Sequence, residues 1–410
     1  MYLSDCPLTF GEDFTKVEGA GGRVVEQEVL HQRVVPLLDK VPITRVSDIS
    51  RLEQSELPVF TAITPLARDL TTHMGKGATA MAARLSAIME GIERVSAETV
   101  RGVIHNDTYT HLAKTKRCID PERFDLPPTT TYRKENSFDW VAGWDLIGRH
   151  EIHIPADLCV SPPKEGILDQ VDTNGLASGS SFGEAIRHAL LELIERDASS
   201  QHLFFDFFGT TGMSGPSRIR IDKKTLSANC KKYVNRIEAD RIELVLEEIT
   251  CDIGVPVIAC YVIDRGYPTA TGPTQMIFGG WGCDTDPEHA VVRALTEAHQ
   301  SRIGTLQSAR DSFNIMQEGE RTFSMERWRS VLEAACGAPI GKLDETSNNI
   351  ATDVEFLLNS LMAIGVDQVV VVDMSDPELG IPVVRVRVPG MSVFMVDRRR
   401  VGWRCMRHIL

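Results

Sequence analysis

Three stretches of this chain share one polar code. Ser86, Glu90 and Glu93 stand at i, i+4 and i+7 in SAIMEGIER; His188, Glu192 and Glu195 do so in HALLELIER; Arg293, Glu297 and Gln300 do so in RALTEAHQ. At about 100° per residue such a triplet spans roughly 60° of a helix surface, so each stretch presents a polar stripe along one face. Met81, Leu85, Ile88, Ile92 and Val95 lie opposite the first stripe, and Ile186, Leu190, Leu193 and Ile194 stand away from the second. Taken singly, a polar stripe is the solvated side of an amphipathic helix. The first helix speaks against that, because Ala80, Ala83, Ala87 and Ala97 occupy places where exposed helices interleave lysine or arginine with glutamate. Small residues let another element come close, so the carboxylates are expected to face an interior cleft.

Carboxylates gathered in a cleft repel one another. At about 5 Å and an effective dielectric near 20, each pair costs on the order of 3 kcal/mol. A hard divalent cation removes that cost. Oxygen ligands favour magnesium over zinc or copper, and magnesium commonly bridges protein carboxylates to nucleotide phosphates. Glu184, two turns before Glu192, extends the second stripe. Phosphates need donors, and two places offer them. The run Gly175 to Gly183 brings Ser178, Gly179, Ser180 and Ser181 to a helix N-terminus, where N–H groups and the helix dipole favour anions. Gly75, Lys76 and Gly77 precede the first helix and offer the Lys76 ammonium, without the upstream glycine spacing or the following Ser or Thr of a Walker A loop. Either glycine cluster serves equally well as an ordinary cap or turn.

The elements that must position these residues can be read from periodicity. VPITRVSDI and PVFTAI read as strands, followed by a helix from about 79 to 99. Turn chemistry runs from 107 to 137, with Pro121, Pro127 and Pro128, and then DWVAGWDLIG and HEIHIPADLCV read as a hairpin. The loop TNGLASGSSFG leads into a helix from about 183 to 202. ELVLEEI and PVIACYVID read as strands; Gly279, Gly280 and Gly282 read as a loop before a third helix starting at Pro287 with Asp286 as cap. A helix around 354 to 364, a buried strand in VDQVVVVDM and an alternating strand in IPVVRVRV complete the body. The fold class is α+β, a mixed α/β body. Residues 1–30, with the glycine-rich stretch Gly19 to Gly22, read as a variable lead-in, and 31–410 as one composite domain.

Bulk properties narrow the function. The chain has 410 residues, 57 acidic against 44 basic, a formal net charge of -13 and 42% hydrophobic residues. An acidic globular chain disfavours nucleic acid and anionic membranes. The basic run Arg398 to Arg400 reads as a solvated end. Nine cysteines without a CxxC pair read as reduced thiols, and neither a signal peptide nor an apolar run of about 18 residues is present, so the reading is cytoplasmic.

SAIMEGIER, NGLASGSSFGEAIRHALLELIERDA, RALTEAHQSR and GIPVVRVRVPG, in that order and spacing, resemble the successive signature segments of YcaO proteins over about 43–389. The resemblance implies an enzyme that uses ATP and Mg2+ to phosphorylate a peptide backbone amide oxygen, making the carbonyl carbon electrophilic, with azolines, thioamides or amidines as products by branch. Carried over residue by residue, it implies that Ser86, Glu90, Glu93, Glu184, Glu192 and Glu195 hold nucleotide and magnesium, with Glu90, Glu93, Glu192 and Glu195 foremost for the metal. Arg293, Glu297 and Gln300 match the third segment of the nucleotide site. No covalent protein nucleophile is expected. Ala177 and Ser180 stand where some relatives carry Ser and Asn, which weakens a side-chain role for that loop. The end GWRCMRHIL lacks the PxPxP terminus of azoline-forming members, and no fused leader-binding domain is evident; both features resemble the stand-alone branch that installs thioamides with a TfuA-like partner and a sulfur donor. A homodimer is compatible with this reading.

Two readings from other classes stand beside it. Clustered carboxylates could hold cations that activate water without ATP, as in a divalent-metal hydrolase. A non-catalytic scaffold could bind nucleotide for stability alone, although buried carboxylates are costly to keep idle. Cys283 reads as a small buried hydrophobe, His188 could touch a ligand, and Arg385 could point into the cleft or into solvent.

Overall fold

Each of the three striped helices lies on the strand that precedes it. The computed structural model describes residues 2–18, 22–52, 55, 57–210, 212–238, 242–264, 277–308, 337–340 and 347–410. Residues 19–21 of the expected glycine-rich joint, and Cys336, lie outside the described residues. After α1 (Gln27–Val34), strands β1 (Arg45–Asp48), β2 (Val59–Ile63) and β3 (Thr72–Lys76) form an antiparallel sheet in that order, and α2 (Ala80–Ser96) packs on it. Thr79 caps α2 by accepting from the Ala82 N–H at 3.1 Å.

The middle of the chain supplies β4 (Ile104–Thr108), α3 (Tyr109–Leu112), β5 (Ser137–Asp145), β6 (His150–Pro155), β7 (Leu176–Ser178) and α4 (Phe182–Phe208). Next come β8 (Ile219–Arg220), α5 (Ala228–Ile237), β9 (Ile242–Glu248), β10 (Val257–Asp264), β11 (Ile277–Cys283) and α6 (Pro287–Gln307). The last elements are α7 (Ile350–Ala363), β12 (Val370–Asp373), β13 (Val383–Arg387) and α8 (Trp403–Met406). One sheet runs β11-β10-β9-β8. The largest runs β4-β5-β12-β13-β7, with β6 paired to β5. The pairs between these strands are antiparallel, so the body is α+β as expected.

Several local readings change. TNGLASGSSFG is not all loop: its centre is β7, zipped to β13 through Val383 opposite Ser178 and Arg385 opposite Leu176. Gly279, Gly280 and Gly282 lie within β11, and Gly75 and Lys76 within β3. Glycine in a strand marks close backbone approach. A Cβ at Gly75 would stand 2.1 Å from Ala87 N, and one at Gly282 would stand 2.2 Å from Ala290 O, so each strand presses its glycine onto the alanines of its own helix. Those alanines repeat. Ala83 and Ala87, Ala185 and Ala189, and Ala290 and Ala294 hold the same places seven and three residues before Glu90, Glu192 and Glu297.

The alternation in IPVVRVRV is real, yet both faces of β13 are buried. Val384 and Val386 join the core under α4, and the other face is roofed by the Leu158–Cys159 segment, whose carbonyls accept from Arg387 Nε at 2.7 Å and Arg385 Nε at 2.9 Å. Arg385 therefore points into neither bulk solvent nor an open cleft. The run Arg398 to Arg400 is a solvated end only in part: Arg398 and Arg399 are exposed, the first over the Phe207 ring and the second paired with Asp169 and Asp397, while Arg400 is buried against Asp172. α4 extends six residues beyond the expected His202 because Phe204, Phe207 and Phe208 cluster with Phe394.

The helices and strands close a ring. α2 touches β3 and β7, α4 touches β7 and β11, and α6 touches β11 and β3. Each helix is wedged between its own strand and the next one, and the third returns to the first.

Candidate functional site

The polar stripes face the inside of that ring. The glutamate at the middle position of each polar triplet accepts a backbone N–H from its own module's strand region: Met74 N–H donates to Glu90 Oε2 at 3.0 Å, Gly175 N–H to Glu192 Oε1 at 3.1 Å and Trp281 N–H to Glu297 Oε1 at 3.4 Å. The last residue of each triplet reaches across to the next strand. Ser178 N–H donates to Glu93 Oε2 at 2.9 Å, Cys283 N–H to Glu195 Oε2 at 3.1 Å, and Gln300 Nε2 donates to Met74 O at 3.1 Å. The stripes are not solvated faces. They bind the three modules to one another.

Burial and repulsion shape the charges. Glu93 keeps a little accessible surface but is walled by protein; burial first, then Glu192 and Glu90, push its carboxyl up to about 8 against the opposing pull of Arg94. Burial and the facing Glu297 raise Glu195 to about 7. Burial also works to raise Glu297, but the Lys76 ammonium, hydrogen-bonded to its Oε2, holds it below the usual carboxylate range. Lys76 thus joins the carboxylates through β3 rather than through a glycine-rich loop. His188 is neutral, driven down to about 3 by burial and then by Arg293, Arg23 and Arg187.

Of the remaining expected residues, Ser86 is half-buried one turn before Glu90 on α2. Glu184 is buried, takes the Ser180 N–H at 3.0 Å and pairs with Arg23 at 3.3 Å. The α4 N-terminus beside it is not open to an anion in this arrangement: Phe182 and Gly183 N–H donate to Glu12 at 2.7 and 2.9 Å, and Glu184 N–H donates to Ser181 Oγ at 3.2 Å. The lead-in fills the place that the serine-rich loop had suggested for phosphate. Cys283 is fully buried, its thiol pushed well up by burial, as expected of a small hydrophobe.

Two arginines escaped the sequence reading. Arg94 pairs with Asp69 at 3.0 Å and lies 3.8 Å from Glu90; Arg196 lies 4.0 Å from Glu192 and also faces Glu195 and Glu297. The signal was present as the shared Glu-Arg step in GIER and LIER.

What the site lacks indicates what fits it. Glu93 and Glu195 are carboxylates without enough positive charge, while the buried Nε–H of Arg293 finds no acceptor among the described residues. Buried carboxylates that repel one another and a guanidinium N–H without an acceptor are complementary to a cation–phosphate complex. Among the described residues no three His, Cys, Asp or Glu side chains already form a metal cage. Magnesium needs none, since it is usually held by one or two carboxylates and completed by phosphates and water.

The family model described as "YcaO cyclodehydratase, ATP- and Mg2+-binding" matches residues 74–392, which spans all three helices and β13. The chain belongs to the YcaO family. Its cofactors are accordingly ATP and Mg2+. An uncharacterised protein of Methanothermobacter thermautotrophicus is 34% identical over 380 residues, covering 90% of this YcaO chain and 94% of the relative. A Rhizobium leguminosarum bv. trifolii protein, described as lying in the tfuA 3′ region, is 29% identical over 382 residues, covering 87% of this chain and 86% of its own. The solved structure of YcaO from Methanopyrus kandleri, bound with AMPPCP and Mg2+, superposes with a TM-score of 0.76 at 24% identity and covers 96% of this chain and 98% of that one. That likeness shows the fold. No helix among the described residues is long and apolar enough to cross a membrane.

Proposed function

We propose that this YcaO protein uses ATP and Mg2+ to phosphorylate a backbone amide oxygen of a peptide or protein, and that the product is a thioamide formed with a TfuA-like partner and a sulfur donor. The observation that carries the first part is the convergence, inside one ring, of Glu90, Glu93, Glu192 and Glu195 with Lys76, Glu297 and the unpartnered Nε–H of Arg293. The relative from the tfuA 3′ region supports the second part. The eight cysteines among the described residues are free thiols, which supports a reducing cytoplasm.

In this reading Glu90, Glu93, Glu192 and Glu195 hold magnesium, with Lys76, Ser86, Arg293 and Glu297 lining the nucleotide. Magnesium, when bound, neutralises phosphate charge and favours phosphoryl transfer. The chain's own residues position and desolvate. Glu93 and Glu195 would hold the cation as carboxylates, Arg293 would offer its free N–H to an anionic oxygen, and the backbone donors Met74, Ser178 and Cys283 fix the carboxylates in place. The amide oxygen attacks the terminal phosphorus and ADP leaves; sulfide sulfur then adds to the activated carbon and phosphate departs, leaving C=S.

The test incubates the protein, Mg2+, ATP, the peptide substrate, sulfide and the partner, with mass spectrometry of the peptide. A gain of about 16 Da per site, lost with natively folded Glu195→Gln, is expected, since sulfur replaces oxygen. Loss of about 18 Da indicates an azoline instead. Peptide or ester hydrolysis without ATP indicates a metal hydrolase, and folded variants with full ATP turnover overturn the site.

A further inference from the structure

Gln300 departs from the repeated code by one atom. At the first two junctions of the ring the crossing side chain is a carboxylate, and what it meets is an N–H: Ser178 for Glu93 and Cys283 for Glu195. At the third junction the neighbouring strand presents a carbonyl, Met74 O, which can only accept. An ionised glutamate there would set two acceptors face to face, whereas glutamine supplies the N–H.

We propose that Gln300 is a positioning residue, the latch that closes the ring between α6 and β3, and that its amide serves the protein rather than a bound ligand. The Met74 backbone is held by two helices, its N–H by Glu90 of α2 and its carbonyl by Gln300 of α6. Two residues further along β3, Lys76 pairs with Glu297, one turn before Gln300 on α6. The latch therefore sets the position of Lys76 and Glu90 together. At this junction a built-in ammonium and an amide take the place that facing carboxylates occupy at the other two, so the ring closes without a divalent cation there.

The consequence for nucleotide rests on the function proposed above; the latch itself does not. The experiment compares, at pH 9 so that the carboxylate is ionised, Gln300→Glu, isosteric but without a donor, with Gln300→Met, which removes both polar atoms. Hydrogen exchange in cation-free buffer is expected to show lost protection over residues 72–76 in both variants, with 176–178 at the parent's level. Unchanged exchange over 72–76 overturns the latch. Titration with Mg2+ and AMPPCP is expected to show binding weakened about threefold to tenfold by Gln300→Met and at least about tenfold by Gln300→Glu. A ligand role predicts the opposite order, because a carboxylate grips magnesium at least as well as an amide oxygen, and Gln300→Glu binding as tightly as the parent refutes the proposal. If Gln300→Glu does not fold, Gln300→Met decides by exchange. If the parent itself fails to bind Mg2+ and AMPPCP, the proposed function falls while the exchange result still judges the latch.

Discussion

In the proposed reading, protons and cations compete for the same oxygens at Glu93 and Glu195. Folded and cation-free, Glu93 holds its proton to about 8, against 4.5 for an ordinary glutamate. Between those values the folded state binds more protons than the unfolded one, so stability falls as pH rises through the window. In chelator, the melting temperature of the parent should decline from pH 5 to pH 8 more steeply than that of Glu93→Gln; equal slopes would mean that Glu93 titrates normally. If Glu93 takes the cation, it should contribute close to one proton to the release on binding near pH 7, readable by calorimetry in buffers of different ionisation enthalpy, and Glu93→Gln should remove that share and leave the smaller one from Glu195. The spacing of Ser86, Glu90 and Glu93 was legible because helical periodicity alone puts them on one face. Which way that face turned was legible only indirectly, through alanines where an exposed helix carries lysines. The burial of Arg385 and Arg400 was not legible, since a lone arginine in a strand pattern says nothing about the segment that will roof it.

Helix against strand is the repeated unit here, and its tolerance is small. Gly75→Ala would place a methyl 2.1 Å from the Ala87 nitrogen and should push α2 away, costing about 1–3 kcal/mol or more in urea unfolding. A loss below about 0.5 kcal/mol would show that β3 and α2 can separate freely. At the start of α4, Glu12 accepts two N–H groups that the helix cannot satisfy itself. Glu12→Gln keeps one acceptor without the charge and should lower stability by about 0.5–2 kcal/mol, with increased exchange at Phe182 and Gly183 as the local signature. Elements with strong periodicity, α2, α4, α6 and the β5–β6 hairpin, were readable from sequence. β3, β7 and β11 were read as loops because their glycines look like turn residues until the helix pressing on them is known. α5 went unseen: in ANCKKYVNRI three small apolar contacts, Cys230, Val234 and Ile237, carry the whole buried face.

At the scale of the molecule, distant segments are tied by buried charge as well as by apolar packing. Asp172 bonds Arg387 of β13 at 3.1 Å and Arg400 near the C-terminal helix at 2.6 Å, all three nearly inaccessible. Burial alone would raise its carboxyl, but Arg387, Arg400 and Arg385 outweigh it and hold Asp172 well below the usual range. The stability it contributes is present above pH 3.8 and is lost only as pH falls through the lower folded value, so the link should survive mild acid. Asp172→Asn leaves two guanidinium groups without their carboxylate and should cost about 3–5 kcal/mol by urea unfolding at pH 7. A change under about 1 kcal/mol would show that water or other carbonyls take over. This tie was invisible in the sequence, because its two arginines lie 215 and 228 positions from Asp172 and no local pattern announces such a pairing.

The bond from Gln300 to Met74 spans 226 positions. A ribosome adding about 5–20 residues per second takes roughly ten to forty-five seconds to travel that distance. For all that time the first sheet and α2 exist with one flank uncovered, and no nascent chain short of α6 can assemble the complete set of carboxylates. A chain that has not yet made α6 therefore lacks Glu297, the partner of Lys76, and the bond that closes the ring.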